Sequence, residues 1–356
     1  MIRIEPREQV SRLRQAILPV LAGLLALLLL AVPLIFADVN ILQAYALMFK
    51  GFAGSTFAFT EVLVRATPLI FTGLAAAVAF RAKLWNIGAE GQLYLGALAT
   101  VIVGTGVLNL PPLLLMLVII IAGAIAGAIG MLIPAWLRIR FGADEVVTTL
   151  LLNFIILLLV QMLLEGLLKD PMGMGWPQSE PVVEEAMLPT LVPRMRLHGG
   201  LILGLVLAVF IHLFISRSVW GFKVRAVGEN AAATKHAGIA VNRTLLSAAM
   251  LSGALAGLAG VGEVAGLKGY LTADISPGYG YAGIVVAMLA GLSPLGVVAA
   301  AVFIAAVFVG ADSMSRSLGV SNYLADLFVA LSLLCVLIGG FLNRYRILFV
   351  GSSTRK

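Results

Sequence analysis

Apolar runs of about twenty residues follow one another along nearly the whole chain, and that succession decides what it can fold into. In hydrocarbon every backbone N–H and C=O must be bonded within the spanning structure, which leaves only helices and closed barrels. Barrel strands alternate apolar and polar residues over about ten positions. These runs are continuous, so they are helices. With 61% hydrophobic and 12% charged residues, the chain carries more apolar surface than a soluble core can hide. The expected fold is an all-α polytopic membrane protein of about 8–10 transmembrane helices.

In order, a basic segment (1–16) with Arg3, Arg7, Arg12 and Arg14 precedes a first span at 17–37. A basic start before apolar residues resembles a signal peptide, but this run is too long and many spans follow, so it reads as an uncleaved helix. Residues 38–60 read as a connection with a short interfacial helix. Spans follow at 61–80, opened by Glu61 and Arg65 at pairing distance i,i+4, then at 88–107, 113–136 and 146–167. The segment 168–198 holds five prolines and should be irregular. After a span at 199–215 comes a polar stretch, 216–243, and then a span at 245–265. Residues 281–312 read as a hairpin with a short first arm, bent at 291–296. A final span, 323–342, leads into a basic tail, 343–356. The whole of 17–342 is then one transmembrane domain.

Charge placement orients this layout. With both termini inside, most basic residues lie in inner segments, and the exceptions are Lys50, Arg65, Lys169, Arg194, Arg196, Lys268 and Arg316. Glu180, Glu184 and Glu185 sit in the outer Pro-rich loop. The net charge of +7 therefore reports topology and not nucleic-acid binding. Glycine and alanine repeats at 122–130 and 252–260 form small-xxx-small faces that let helices approach closely. Their likeness is compatible with a two-repeat transporter architecture.

Two stretches carry chemistry. At 80–94 (FRAKLWNIGAEGQLY), Asn86 is placed to cap the helix that begins there, and Gly88 and Gly91 allow a bend or close approach. Glu90 and Gln92 then enter an apolar run, where a polar group must face protein or water. Glu263 raises the same question, and Asn153 either lines a polar path or bonds a neighbouring helix. A capped turn with a snorkelling glutamate is the bland alternative. In 216–243, Gly228–Asn230 reads as a flexible joint with an early carboxylate, Glu229, and an N-cap, Asn230. Residues 231–237 then form a short helix with an alanine face, stopped by Gly238. Such a smooth face suits docking into another protein's groove; a structured loop is the alternative.

Several chemistries are excluded. No lysine is followed by Ser or Thr, so there is no P-loop, and His198, His212 and His236 form no HExxH. The 291–295 stretch misses the last glycine of a nucleophile elbow. Cys335 is the single cysteine, so no intrachain disulfide or cysteine-based metal site exists. The chain reads as a non-enzyme without cofactor or metal.

Together, RAVGENAAATKHAGI and LWNIGAEGQLYLGA resemble the permease subunits of ATP-binding-cassette importers for branched-chain amino acids, simple sugars and nucleosides. The second motif is similar to that of the nucleoside (guanosine-type) permeases, with Trp85 in place of the usual Phe. The likeness extends to FGADEVVTTLLLNFI, LAGVGEVAG and GLSPLG. It implies a bacterial plasma- or inner-membrane subunit that pairs with a second homologous permease. The implied partners are a cytosolic ABC ATPase and an extracytoplasmic solute-binding protein. It implies ATPase coupling by Gly228, Glu229, Asn230, Ala232, Ala233, Gly238 and Ile239. The implied solute path involves Asn86, Gly88, Glu90 and Gln92, with Tyr279 and Tyr281 as aromatic contacts for a base. An ion-coupled secondary transporter using Glu90 or Glu263 is the rival class, and sugars or branched-chain amino acids are the rival solutes.

Overall fold

The computed structural model describes residues 2–6 and 12–349. It opens with β1 (Ile2–Pro6), α1 (Arg12–Phe36), α2 (Ile41–Ala53) and α3 (Thr56–Arg81). There follow α4 (Ala89–Gly104), α5 (Pro112–Phe141), α6 (Glu145–Glu165) and α7 (Gly200–Arg217). Two short helices come next, α8 (Val219–Glu229) and α9 (Ala231–His236). The chain then forms α10 (Val241–Val261), extended by a π-helical turn at Gly262–Lys268, and α11 (Tyr279–Leu289). It ends with α12 (Pro294–Leu318), α13 (Asn322–Arg344) and β2 (Tyr345–Phe349). Every expected span falls on a helix. Among the described residues seven are long and apolar enough to cross a membrane: α3, α5, α6, α7, α10 with its π turn, α12 and α13.

Boundaries follow local chemistry. Pro112 starts α5, where its missing N–H costs nothing. Gly142 ends the helix at φ +70, a left-handed conformation a side chain would strain. Asp144 then caps α6 by accepting from Val146 N at 2.8 Å. The short helix expected in 38–60 is α2, capped by Asn40 through Gln43 N at 3.1 Å. α3 begins at Thr56, earlier than the apolar run suggested, because Ser55 Oγ accepts from Ala58 N and holds the first turn ahead of Glu61.

The described chain forms two units. One comes from the chain's ends, up to Ala58 and from Ala306 onward; the other is Phe59–Ala305. In the first, α1 packs on α13, with Ala26 and Cys335 buried, and β1 pairs antiparallel with β2. Among the described residues this two-stranded ribbon is the one sheet in a helical fold.

In the second unit, the two small-residue stripes meet. A Cβ on Gly257 of α10 would lie 2.2 Å from Gly123 O of α5, and one on Gly127 would lie 2.2 Å from Gly253 O. α4 joins the same contact, because a Cβ on Gly96 would lie 2.0 Å from Gly257 O. Backbones this close gain dispersion contact that larger residues would forbid. The opposite face of α5 carries Leu117, Ile121, Ile125, Ile129 and Ile133, four apart and about half exposed. Such a stripe needs hydrocarbon around it.

Candidate functional site

α4 and α11 are each too short to cross a bilayer of about 30 Å at 1.5 Å per residue. Their N-termini abut. A Cβ on Gly280 would sit 2.2 Å from Glu90 N and 2.5 Å from Glu90 Cα, so only glycine permits the approach. The Glu90 carboxylate reaches across and accepts from Gly280 N at 2.6 Å. The Ser276 side chain and the Gly278 backbone face the same carboxylate, and Gly278 N donates to Ser276 Oγ at 3.2 Å. One buried side chain therefore caps a helix distant in sequence. Thr72 of α3 holds the same turn, donating to Tyr279 O at 2.9 Å.

Around this junction lies a closed amide network. Asn86 and Gln92 exchange two hydrogen bonds, Nδ2 to Oε1 at 2.8 Å and Nε2 to Oδ1 at 2.9 Å. Asn86 Nδ2 also donates to Ser252 Oγ at 2.9 Å, and that hydroxyl donates to Ala75 O at 2.7 Å. Ser252 sits near the middle of α10, so the 82–88 segment dips deep before α4 begins. Asn153 of α6 accepts from Gly91 N at 2.8 Å and donates to Ile87 O at 3.0 Å and to Tyr281 Oη at 3.2 Å. Tyr281 is 38% exposed, whereas Tyr279 is buried. Tyr281 is thus where the network reaches accessible space.

The structure therefore joins Asn86, Gly88, Glu90, Gln92, Asn153, Tyr279 and Tyr281 at one place. Glu263 is buried in the π-helical turn, within reach of the charges of Lys268, Arg65 and Arg196. Two local expectations change. Asn86 is not the N-cap of α4; that position is Gly88, and Asn86 Oδ1 accepts from Gly88 N at 2.9 Å in a turn ahead of the helix. Glu90 does not snorkel, since its partners lie in the protein and it is 3% exposed. Sequence reading missed Ser252, Thr72 and Ser276, which look like ordinary helix or loop hydroxyls. The glycines flanking Tyr279 were the available signal for the close contact.

By the alternation of spans, the 168–198 segment and the loop after Lys268 share one end of this unit, and 218–240 lies at the other. At the first end Arg196 grips Glu61 of α3 through both carboxylate oxygens, and this pairing raises the guanidinium pKa. His198 is fully buried beside Gly200 and Gly266, and Gly200 N donates to its Nδ1 at 3.2 Å. Loss of water lowers its pKa to about 4.

At the other end, Asn230 caps α9, accepting from Ala233 N at 3.0 Å, and Gly238 turns the chain at φ +80. Ala231, Ala232 and Ala233 are exposed while Thr234 is buried, so the alanine face points outward. Gly228 departs from its expected part as a flexible joint. It lies inside α8, and a Cβ there would come within 1.9 Å of Arg81 O. Arg81 in turn donates to Leu292 O at 2.9 Å, holding the α11–α12 bend. Glu229 ends α8 and does not open α9. Ile239 and Ala240 lead from α9 into α10, with Ile239 N bonded to Thr234 O at 3.2 Å.

Comparison with known proteins gives one consistent picture. Residues 58–337 match the family described as branched-chain amino acid transport system / permease component. The chain is 37% identical to a glucose ABC transporter permease protein of Haloferax volcanii, over 97% of this chain and 93% of that one. It is 33% identical to a guanosine ABC transporter permease protein of Bacillus subtilis, over 98% and 99%. It is 30% identical to a nucleoside ABC transporter permease protein of Lactococcus lactis, over 86% of each. No solved structure matches it.

Proposed function

This chain belongs to the family of branched-chain amino acid transport system permease components, within the ABC transporters, and we propose that it forms the path for a neutral nucleoside driven by a separate cytosolic ATPase. The observation that carries the coupling half is α9, a capped helix with three exposed alanines joined through Ile239 to α10. The α10 helix packs against both α4 and α5. Force applied at α9 thus has a rigid route to the junction at Glu90. Gly228, Asn230, Ala232, Ala233, Gly238 and Ile239 form and place that helix, and Glu229 precedes it.

In this reading an ATPase receives α9 in a surface groove, a second permease completes the path, and an extracytoplasmic binding protein delivers solute at the Pro-rich end. The path runs past Tyr281, with Asn153, Asn86, Gln92 and Glu90 fixing the surrounding backbone. Glucose is the second reading, supported by the Haloferax relative. The test is uptake by the reconstituted complex. Guanosine should compete for uptake at lower concentration than glucose or leucine. A complex that moves only glucose, or only leucine, would overturn the nucleoside assignment. Ala232→Glu with Ala233→Glu should abolish uptake while the protein still inserts; undiminished uptake would overturn the coupling assignment.

A further inference from the structure

The loop that follows the π-helical turn does two jobs, and only one belongs to the junction described above. Its later residues, Ser276 to Gly280, descend to meet Glu90. Its earlier residues, with the Pro-rich segment, border a half-open cavity of about 480 Å³ lined in part by Trp176, Gln178, Lys268, Tyr270, Thr272 and Asp274. Cavities of 300–1,000 Å³ are the usual size for small-molecule sites, so a nucleoside-sized solute fits, as an estimate of about that range. We infer that this cavity is an entry subsite for a flat, uncharged, hydroxyl-bearing solute on its way to the junction. The inference rests on the reading of the chain as a nucleoside permease.

Four observations carry it. First, the walls are built. Ser179 N donates to Leu271 O at 2.9 Å, Leu271 N donates to Ser179 Oγ at 2.9 Å, and Val182 N donates to Gly269 O at 2.8 Å. Gln178 and Thr272 form a further bridge, and Gln178 Nε2 donates to Asp170 Oδ2 at 3.1 Å. A cavity held by a cross-loop ladder is formed before a solute arrives. Second, each loop supplies one aromatic ring, Trp176 or Tyr270, and Trp176 is 73% exposed in a segment that charge placement puts in water. Aromatic surfaces stack on bases of any identity.

Third, the charges cancel. Lys268 Nζ lies 3.9 Å from Asp274 Oδ1 and donates to Thr272 Oγ1 at 3.1 Å. A phosphorylated or carboxylated solute finds no surplus charge of the opposite sign, whereas hydroxyl and amide groups find donors and acceptors of both kinds. Fourth, the back wall is wired to the junction. Tyr94, one helical turn beyond Glu90 on α4, donates through Oη to Ala273 O at 2.7 Å. Ala273 lines the cavity, and the loop runs on from it to Ser276–Gly280 at the half-helix contact.

The test is equilibrium binding of radiolabelled guanosine to the assembled complex in lipid nanodiscs, without the binding protein. Trp176→Ala with Tyr270→Ala should weaken binding about tenfold or more, while Trp176→Phe with Tyr270→Phe should stay within about threefold of wild type. Guanosine 5′-monophosphate should compete at least tenfold less well than guanosine against wild type. Unchanged affinity in the alanine variant overturns the subsite, as does equal loss in the alanine and phenylalanine variants. Failure of the underlying reading is separate: a wild-type complex that neither binds nor transports guanosine refutes the nucleoside assignment before any variant is made.

Discussion

Gly257 has no room for a methyl group, because Gly123 O stands where its Cβ would be and Gly127 Cα lies 3.1 Å from that point. Both obstacles are backbone, which cannot rotate away. Gly257→Ala should therefore cost about 1–3 kcal/mol through forced separation of α5 and α10, read as a lower unfolding temperature in detergent. Asn153→Ala removes the acceptor for Gly91 N and the donor to Ile87 O, leaving a buried and a part-buried group unpaired. A loss of about 1–3 kcal/mol follows, read in the same measurement. His198 makes stability depend on pH. Its folded pKa of about 4 lies below the ordinary 6.5, so between those values the unfolded chain takes up a proton that the folded one refuses. Its contribution is complete above about pH 6.5 and is lost as pH falls toward 4. The unfolding temperature should drop from pH 7 to pH 5, and drop less in His198→Asn.

Two half-length helices meeting head to head make the most specialised element pair in the fold. Both N-termini carry unbonded N–H groups and a positive dipole end, so their approach needs an acceptor between them. Glu90 supplies it for α11. Glu90→Gln keeps an acceptor oxygen and Glu90→Ala does not, so uptake should fall more steeply in the alanine variant; equal loss in both would point to the charge in place of the cap. At the other end of α10, the cap at Asn230 decides whether α9 exists as a helix. Six residues form no stable helix unaided. Asn230→Ala should cost about 1 kcal/mol locally, seen as faster amide exchange over α9.

Across the whole molecule the question is which end faces which side. Alternating spans place Trp176 and Ala237 at opposite ends of the second unit. With Cys335→Ser as background, Trp176→Cys should react with an impermeant thiol reagent on intact cells. Ala237→Cys should react only on inverted vesicles. The reverse pattern would invert the topology drawn from the positive-inside rule.

Much of this was legible in the chain, because lipid leaves backbone few choices. Run length located the helical spans, glycine stripes at 122–130 and 252–260 marked faces that then met, and Asn230 with Gly238 bounded α9 correctly. Partnership over long separations was not legible. Nothing near Glu90 in sequence names Gly280, and nothing beside Glu61 names Arg196, because a hydrogen bond depends on where two backbones pass and not on spacing along one. Gly228 shows the same limit: local sequence reads it as a joint, and a neighbouring carbonyl makes it a contact. Sequence alone determined helices, their order and the small-residue faces that let them approach, through hydrophobicity and backbone satisfaction. Tertiary structure alone decided which buried polar groups face each other, since that follows from packing distances that no single helix encodes.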